Sequence, residues 1–249
     1  LFAGDLLNQN IASTFGLRES NVPLLGQFGA CSTMAQTLAL AAIFVDSGAA
    51  DVCSAVTSSH FCTAERQYRF PLEYGGQRTP TSQWPVTGGG AVVVAGAAAQ
   101  TPDQAGPWIQ AAAIGTIEDK GIKDANNMGA AMAPAAYDTI SAHLKDTGRA
   151  PSYYDLIVTG DLGLLGSELL LELLSRDGIE LGNHADCGAM IFDPQGQDVH
   201  CGGSGCGCCA FCDSPDHQGL SSVHIACRKN SGVFGTIRTG SCLHIRPPV

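Results

Sequence analysis

The sequence predicts a duplicated α/β fold, and three observations carry that prediction. Apolar runs of strand length alternate with segments of helix length along most of the chain, the pattern of layered α/β proteins. A short signature occurs twice: Phe2-Ala3-Gly4-Asp5-Leu6 is matched by Val158-Thr159-Gly160-Asp161-Leu162. The composition, 45% hydrophobic against 14% charged, is that of a chain with a core to bury and excludes a disordered one.

Taken in order, Leu1–Gly4 ends a strand and Gln9–Leu17 is helical. Pro23–Phe28 is a strand, Ser32–Val45 a long apolar helix and Val52–Thr57 a strand. Residues 61–87 form a polar, aromatic excursion. Ala91–Ala97 and Trp108–Gly115 follow as strands. Ala133–Lys145 is an amphipathic helix closed by Gly148 and Pro151. Leu156–Thr159 is a strand, Ser167–Arg176 a helix and Gly188–Phe192 a strand. Each Gly-Asp-Leu copy leads into a helix, then an apolar strand, then a Gly-rich turn: Phe28–Thr33 in one half, Cys201–Cys208 in the other. The domains expected are therefore residues 1–105 and 106–209. The second half has a lead-in strand and helix before its Gly-Asp-Leu, and the first has none. A strand and a helix are expected to be missing from the N-terminus.

Residues 210–249 differ from the rest. They show neither a 3.6-residue nor a two-residue apolar period. Residues 1–199 carry 9 Lys+Arg and 21 Asp+Glu, whereas 200–249 carry 4 and 2. Seven of the 11 cysteines also lie after residue 200. One hypothesis is that the true frame is lost soon after Cys208, leaving an aberrant tail; the alternative is an unusual natural one.

Charge and length exclude several function classes. The net charge of -10 provides no basic face for nucleic acid. The longest apolar runs, Leu38–Val45 and Ala91–Ala99, fall short of the roughly 18–20 residues of a membrane span. The first 200 residues hold only four widely spaced cysteines, a pattern of a reducing compartment. Cys206, Cys208, Cys209 and Cys212 form one crowded run, not the paired arms of a zinc site. Asp119 and Asp124 flank Gly121 without the twelve-residue calcium-loop pattern. No metal site is expected.

The chemistry-bearing signal is Gly29-Ala30-Cys31-Ser32-Thr33, where a strand ends, small residues turn, and a helix begins. A cysteine at a helix N-terminus is expected to have a lowered pKa, and the free N–H groups there can hold an anion. Asp5 and Asp161, at equivalent strand–helix junctions, read as helix caps.

This turn resembles the nucleophile turn of the thiolase-like superfamily, which includes the ketoacyl synthases. Several longer stretches are similar to one family within it, the stage V sporulation protein AD family: Phe2–Asn10, Phe28–Thr33, Thr57–His60, Thr63–Gln67, Glu73–Gln77, Asn127–Ala136, Pro151–Leu162 and Gly202–Cys208. The resemblance runs from residue 1 to about 208. It implies a thiolase-like fold of duplicated α-β-α-β-α layers, truncated at the N-terminus and irregular at the C-terminus. It also implies a role in a spore-specific complex, SpoVA, that moves dipicolinic acid, with calcium, into the developing spore. Such a subunit binds dipicolinate, needs no cofactor, and associates peripherally with the forespore membrane beside the complex's membrane subunits. Superfamily relatives are commonly homodimers.

The residues allow a check on that implication. Thiolase-like catalysis pairs the cysteine with a base, usually a histidine in the second half's Gly-rich turn. Here Gly202–Cys208 contains no His and no Asn. His200 lies just before it, and His60 ends the 52–57 strand region. The missing partner favours binding over turnover. The residues expected to line a dipicolinate pocket are Cys31, Ser32, His60, Gly89, Gly90, Ser204 and Gly205. Arg66, Arg69 and Arg78 are candidate cations, with pairing to Glu65 and Glu73 as the alternative; Trp84 and Tyr74 read as packing residues. Two other functions remain open: an acyltransferase using Cys31 with His60 or His200 as base, and a structural subunit with a vestigial pocket.

Overall fold

The computed structural model describes residues 1–7, 10–60, 77–99, 108–212 and 239–246. The first half is built on a four-stranded sheet. Its strands are β1 (Phe2–Asp5), β2 (Leu25–Gln27), β3 (Val52–Ser59) and β5 (Gly88–Ala95), in the order β2-β1-β3-β5. β1 runs parallel to β2 and β3, and β5 pairs antiparallel to β3. Helix α1 (Ile11–Leu17) joins β1 to β2, and α2 (Thr33–Asp46) joins β2 to β3. The alternation of buried and half-buried residues along β3 follows the two-residue period of a strand with two unlike faces.

The second half repeats the opening of the first. β7 (Ile157–Thr159) is followed by α4 (Gly163–Arg176), then by β8 (His184–Asp186) parallel to β7. Its lead-in is β6 (Trp108–Ile117) and α3 (Met128–Thr147). α3 starts five residues before the sequence predicted, because the Asn127 side chain accepts a hydrogen bond from Ala130 N and caps it there. Two short strands, β4 (Trp84–Pro85) and β9 (Gly203–Ser204), pair in parallel and tie the first half's excursion to the second half's Gly-rich turn. Helix α6 (Cys206–Cys212) follows directly. It packs on β3 and β5, against which α2 also packs.

Two sequence expectations need correcting. Gly188–Phe192 is not a strand. β8 ends at Asp186, and a helical turn, α5 (Cys187–Met190), occupies the apolar run. The reason is local: Asp186 accepts a hydrogen bond from Ala189 N and starts a helix where the apolar residues alone suggested extended chain. The aperiodic tail also supplies a strand. β10 (Thr239–Arg246) pairs antiparallel to β6 along its length, with two register irregularities.

One main core runs through both halves. Met34 and Leu38 of α2, Ile140 and Leu144 of α3, Leu170 and Leu174 of α4, and Phe2 and Ile157 of the strands share a single buried cluster. A smaller cluster of Val86, Val158, Cys187 and Cys208 sits under the β4–β9 pair.

Candidate functional site

Cys31 lies in a single 3-10 turn, Ala30–Ser32, between β2 and α2. The backbone reaches it through Ala30 at φ 48, a left-handed conformation that costs a side-chain-bearing residue energy and is retained where the surroundings enforce it. The turn is held from within. Ser32 Oγ bonds back to Gly29 O, and Thr33 Oγ1 donates to Ala30 O at 2.7 Å. Ser32 is therefore buried and directed into its own turn.

The second half comes to meet this turn. Asp161, two residues beyond β7, is 4% exposed. Its Oδ2 accepts a hydrogen bond from Gly205 N at 2.7 Å, and its carboxylate also accepts from the Cys31 thiol. Cys206 and Cys209 of α6 are the other groups acting on Cys31. The Cys206 thiol donates to Ser58 O at 3.0 Å, and Ser59 Oγ accepts from Gly207 N at 3.1 Å. The end of β3, the Cys31 turn, Asp161 and the start of α6 thus form one cluster, fed by both halves.

The electrostatics overturn one expectation. The sequence suggested a Cys31 thiolate stabilised at a helix N-terminus. Instead the Cys31 thiol is held well above its ordinary value, first by burial and then by the Asp161 charge and its hydrogen bond, with Cys206 and Cys209 adding to the shift. The residue as a whole is half-buried, but its sulfur lies in a desolvated, acidic setting. Burial also raises the Cys206 thiol, against a lowering hydrogen bond from Thr57. At neutral pH these sulfurs are protonated thiols, which are poor nucleophiles.

The other predicted residues fall as follows. Ser204 is buried in β9, and Gly205, at φ 90, sits beside Leu6 and Ser59. Gly89 and Gly90 pair with Ser58 and Thr57 across the β3–β5 ladder. A Cβ on Gly90 would come within 2.8 Å of the Ala210 Cβ, so its bareness admits α6 onto the sheet. His60 follows β3 directly and is half-buried. His200 is held elsewhere: Nδ1 bonds Thr79 O at 2.5 Å and Nε2 pairs with Asp198 at 2.8 Å. Arg78 also pairs with Asp198, at 3.0 Å, and stacks on the Trp84 ring at 4.3 Å. Trp84 therefore does more than pack. Arg66, Arg69, Tyr74, Glu65 and Glu73 lie outside the described residues. Asp119 and Asp124 each close their own turn, on Gly121 N and Asn126 N. Among the described residues, no group of three or more His, Cys, Asp or Glu is arranged to hold a metal.

Two contributors were missed from sequence. Asp186 is buried and accepts from Thr159 Oγ1 at 2.6 Å, Leu162 N at 2.9 Å, Gly163 N at 2.8 Å and Ala189 N at 3.0 Å. It caps α4, a role the sequence had given to Asp161. Burial pushes the Asp186 carboxyl up to about 7, against the lowering pull of Thr159 and the backbone donors. Its neighbour His184 bonds Thr159 Oγ1 at 3.0 Å, and burial lowers that imidazole to about 4, so it is neutral. Gln83 is the second, and lay unremarked inside the polar excursion. A signal for Asp186 was available in the strand register, since it stands opposite Thr159 beside the repeated Gly-Asp-Leu.

Comparisons with known proteins agree with this architecture. In Saccharomyces cerevisiae peroxisomal 3-ketoacyl-CoA thiolase, a five-layered α-β-α-β-α structure made from two core domains of identical topology, 82% of the chain is covered by 98% of this one, at a TM-score of 0.57 and 15% identity. Xanthomonas campestris OleA with cerulenin gives a TM-score of 0.65 at 12% identity, over all of this chain and 72% of that one. These likenesses establish the thiolase-like fold. In sequence, the chain is 49% identical over 211 residues to the stage V sporulation protein AD of Bacillus subtilis (strain 168), covering 84% of this chain. It spans 60% of the length of that relative. The family profile "Stage V sporulation protein AD (SpoVAD)" matches residues 1–215. A duplicated thiolase-like fold carrying that match over most of its length places the chain in the stage V sporulation protein AD family.

Proposed function

We propose that this chain is the ligand-binding part of a spore protein that holds dipicolinic acid, free or with calcium, during its uptake into the developing spore. It does so without turning over acyl groups. The observation that carries the second half of this reading is the state of Cys31. Its thiol is desolvated and faces a carboxylate whose negative charge disfavours the thiolate, whereas an acyl-accepting cysteine is activated by a partner, such as an imidazole, that stabilises the thiolate. The ring of His200, one of the two candidate bases, is engaged elsewhere. His200 is committed to Thr79 and Asp198, and the group bonded to the Cys31 thiol is Asp161.

The ligand would enter at the cluster of Cys31, Ser204, Gly205 and the β3 end, with His60 at its rim. Peripheral association with the membrane subunits of the SpoVA complex at the forespore membrane, and a homodimeric state, belong to the same proposal. Among the described residues no helix is long and apolar enough to cross a membrane.

A thermal-unfolding series tests the reading. The chain is scanned alone, with dipicolinate, with calcium and dipicolinate, and with an acyl-CoA. Dipicolinate at about 100 times its Kd should stabilise the folded state by about 2.7 kcal/mol and raise the midpoint, with acyl-CoA inert. A midpoint raised by acyl-CoA alone, together with alkylation of Cys31 by iodoacetamide at pH 6, would return the protein to the acyltransferases.

A further inference from the structure

We infer that Gln83 is a positioning residue for the Cys31–Asp161 cluster, a clamp that sets where the Asp161 carboxylate points. The inference rests on the binding reading above for its consequence, but its geometry stands alone. Gln83 is 6% exposed and enters from the segment that runs beside the Gly-rich turn. That segment is itself fixed: Trp84 N donates to Gly202 O at 2.8 Å and Val86 N to Ser204 O at 2.9 Å.

From this position one amide nitrogen serves two carbonyls. Gln83 Nε2 donates to Asp161 O at 2.7 Å and to Gly203 O at 2.9 Å. Asp161 is the residue whose carboxylate receives the Cys31 thiol. Gly203 lies two residues before Gly205, whose N–H that same carboxylate also receives. A closed ring results: Gln83 to the Asp161 backbone, the Asp161 side chain to Gly205, and Gly203 back to Gln83. Moving the amide shifts the Asp161 main chain and the Gly-rich turn together, and so the distance from carboxylate to thiol.

The cost of this arrangement identifies it as more than filling. Gln83 Oε1 is buried with no hydrogen-bond partner among the described residues. An orphaned buried acceptor is expensive. The amide keeps the orientation that leaves Oε1 orphaned because its donors are committed to the two carbonyls. The first residue of α4, Gly163, leaves room for the amide, since a Cβ there would come within 2.7 Å of Gln83 Nε2.

A second amide clamp, Asn183 of the second half, provides the control. Asn183 Nδ2 donates to Tyr154 O at 2.5 Å and to Pro151 O at 3.3 Å. It works at the N-terminal ends of β7 and β8, the end away from Asp161 and Asp186.

The test compares Gln83→Met with Asn183→Leu in the full chain. Three quantities are read: the unfolding midpoint, the pH dependence of Cys31 alkylation followed by peptide mass spectrometry, and dipicolinate affinity. Gln83→Met should lower the pH midpoint of Cys31 alkylation by about one pH unit, because a displaced Asp161 carboxylate bears less on the thiol. It should also weaken dipicolinate binding about tenfold, the equivalent of one hydrogen bond. Asn183→Leu should lower the unfolding midpoint and move neither of the other two. Gln83→Asn keeps the amide but withdraws it by one methylene, so it should give the same shift in smaller measure. If Gln83→Met fails to fold, Gln83→Asn decides. A folded Gln83 variant whose Cys31 profile matches the wild type overturns the inference. A wild type that ignores dipicolinate while the Gln83 variants still shift Cys31 overturns the binding reading and leaves the clamp standing.

Discussion

The two Gly-Asp-Leu turns begin alike and end differently. In the first half Asp5 serves its own helix. Its carboxylate accepts from Ala12 N and Ser13 N in the first turn of α1, from Ser13 Oγ, and from Ser58 Oγ. In the second half the Asp161 carboxylate reaches across to Gly205 and Cys31. The difference is made on the neighbouring strand. Ala3 stands opposite Gly26, and the equivalent Thr159 stands opposite Asp186. A Cβ on Gly26 would come within 2.6 Å of Asn10 Nδ2, so the Asn10 side chain fills the space that Asp186 fills in the other copy. Because Asp186 caps α4, Asp161 is released for the site. The two copies thus differ at one register position, Gly26 against Asp186, and the repeated aspartates serve different partners.

The strongest way to break this comparison is to remove the substitute cap. Asp186→Ala leaves four donors without their acceptor and should destabilise the fold by about 3 kcal/mol or more in urea unfolding. A loss under about 1 kcal/mol would mean that α4 is capped by other means. The pH dependence sharpens the point. Asp186 is raised from 3.8 to about 7 in the folded state. The folded state therefore retains a proton that the unfolded chain has released. That stabilisation is full below the unfolded value and is lost as pH rises through about 7. Asp186→Asn is neutral throughout, so its stability relative to wild type should improve as pH climbs from about 5 to about 8. A difference constant over that range would show that Asp186 titrates as an ordinary carboxylate.

The next effect in size separates the two repeated acids. Asp5→Ala should cost about 2 kcal/mol, the loss of a cap and two buried hydroxyl bonds, and leave Cys31 alkylation untouched. Asp161→Ala should cost less in stability, about 1 kcal/mol, but make Cys31 alkylate at lower pH. Equal effects of the two variants on Cys31 would erase the distinction drawn between the halves. The smallest effect belongs to the counterpart of Asp186. Gly26→Ala pushes only on the far end of the Asn10 side chain and should cost about 1 kcal/mol or less by chemical denaturation. A larger loss would show that Asn10 cannot yield.

Much of this was legible in the residues, for identifiable reasons. The repeat is visible because Gly4 and Gly160 are both forced: a Cβ on the first would strike Gln27 O at 2.6 Å, and on the second Cys209 Sγ at 2.7 Å. The Cys31 turn shows itself because a strand, two small residues and an apolar helix are consecutive. What stayed hidden depends on partners distant in sequence. Asp186 caps a helix that starts 23 residues earlier, and Gln83 bonds residues 78 and 120 positions away. The ionisation of Cys31 was misjudged on the same ground. The helix N-terminus is local and could be read, but the opposing carboxylate arrives from the other half of the chain.

Gly88 and Gly90 have a consequence for how this protein tolerates change. α6 lies against β5 where there are no side chains to hold it off, and α6 brings Cys206 and Cys209 to Cys31. The width of the site is therefore governed by atoms that are missing. Truncating scans, which subtract atoms, would pass over these two glycines as silent. Only substitutions that add a methyl group, such as Gly90→Ala, would lift the helix and open the gap, so the positions with most control over the site are those with nothing left to remove.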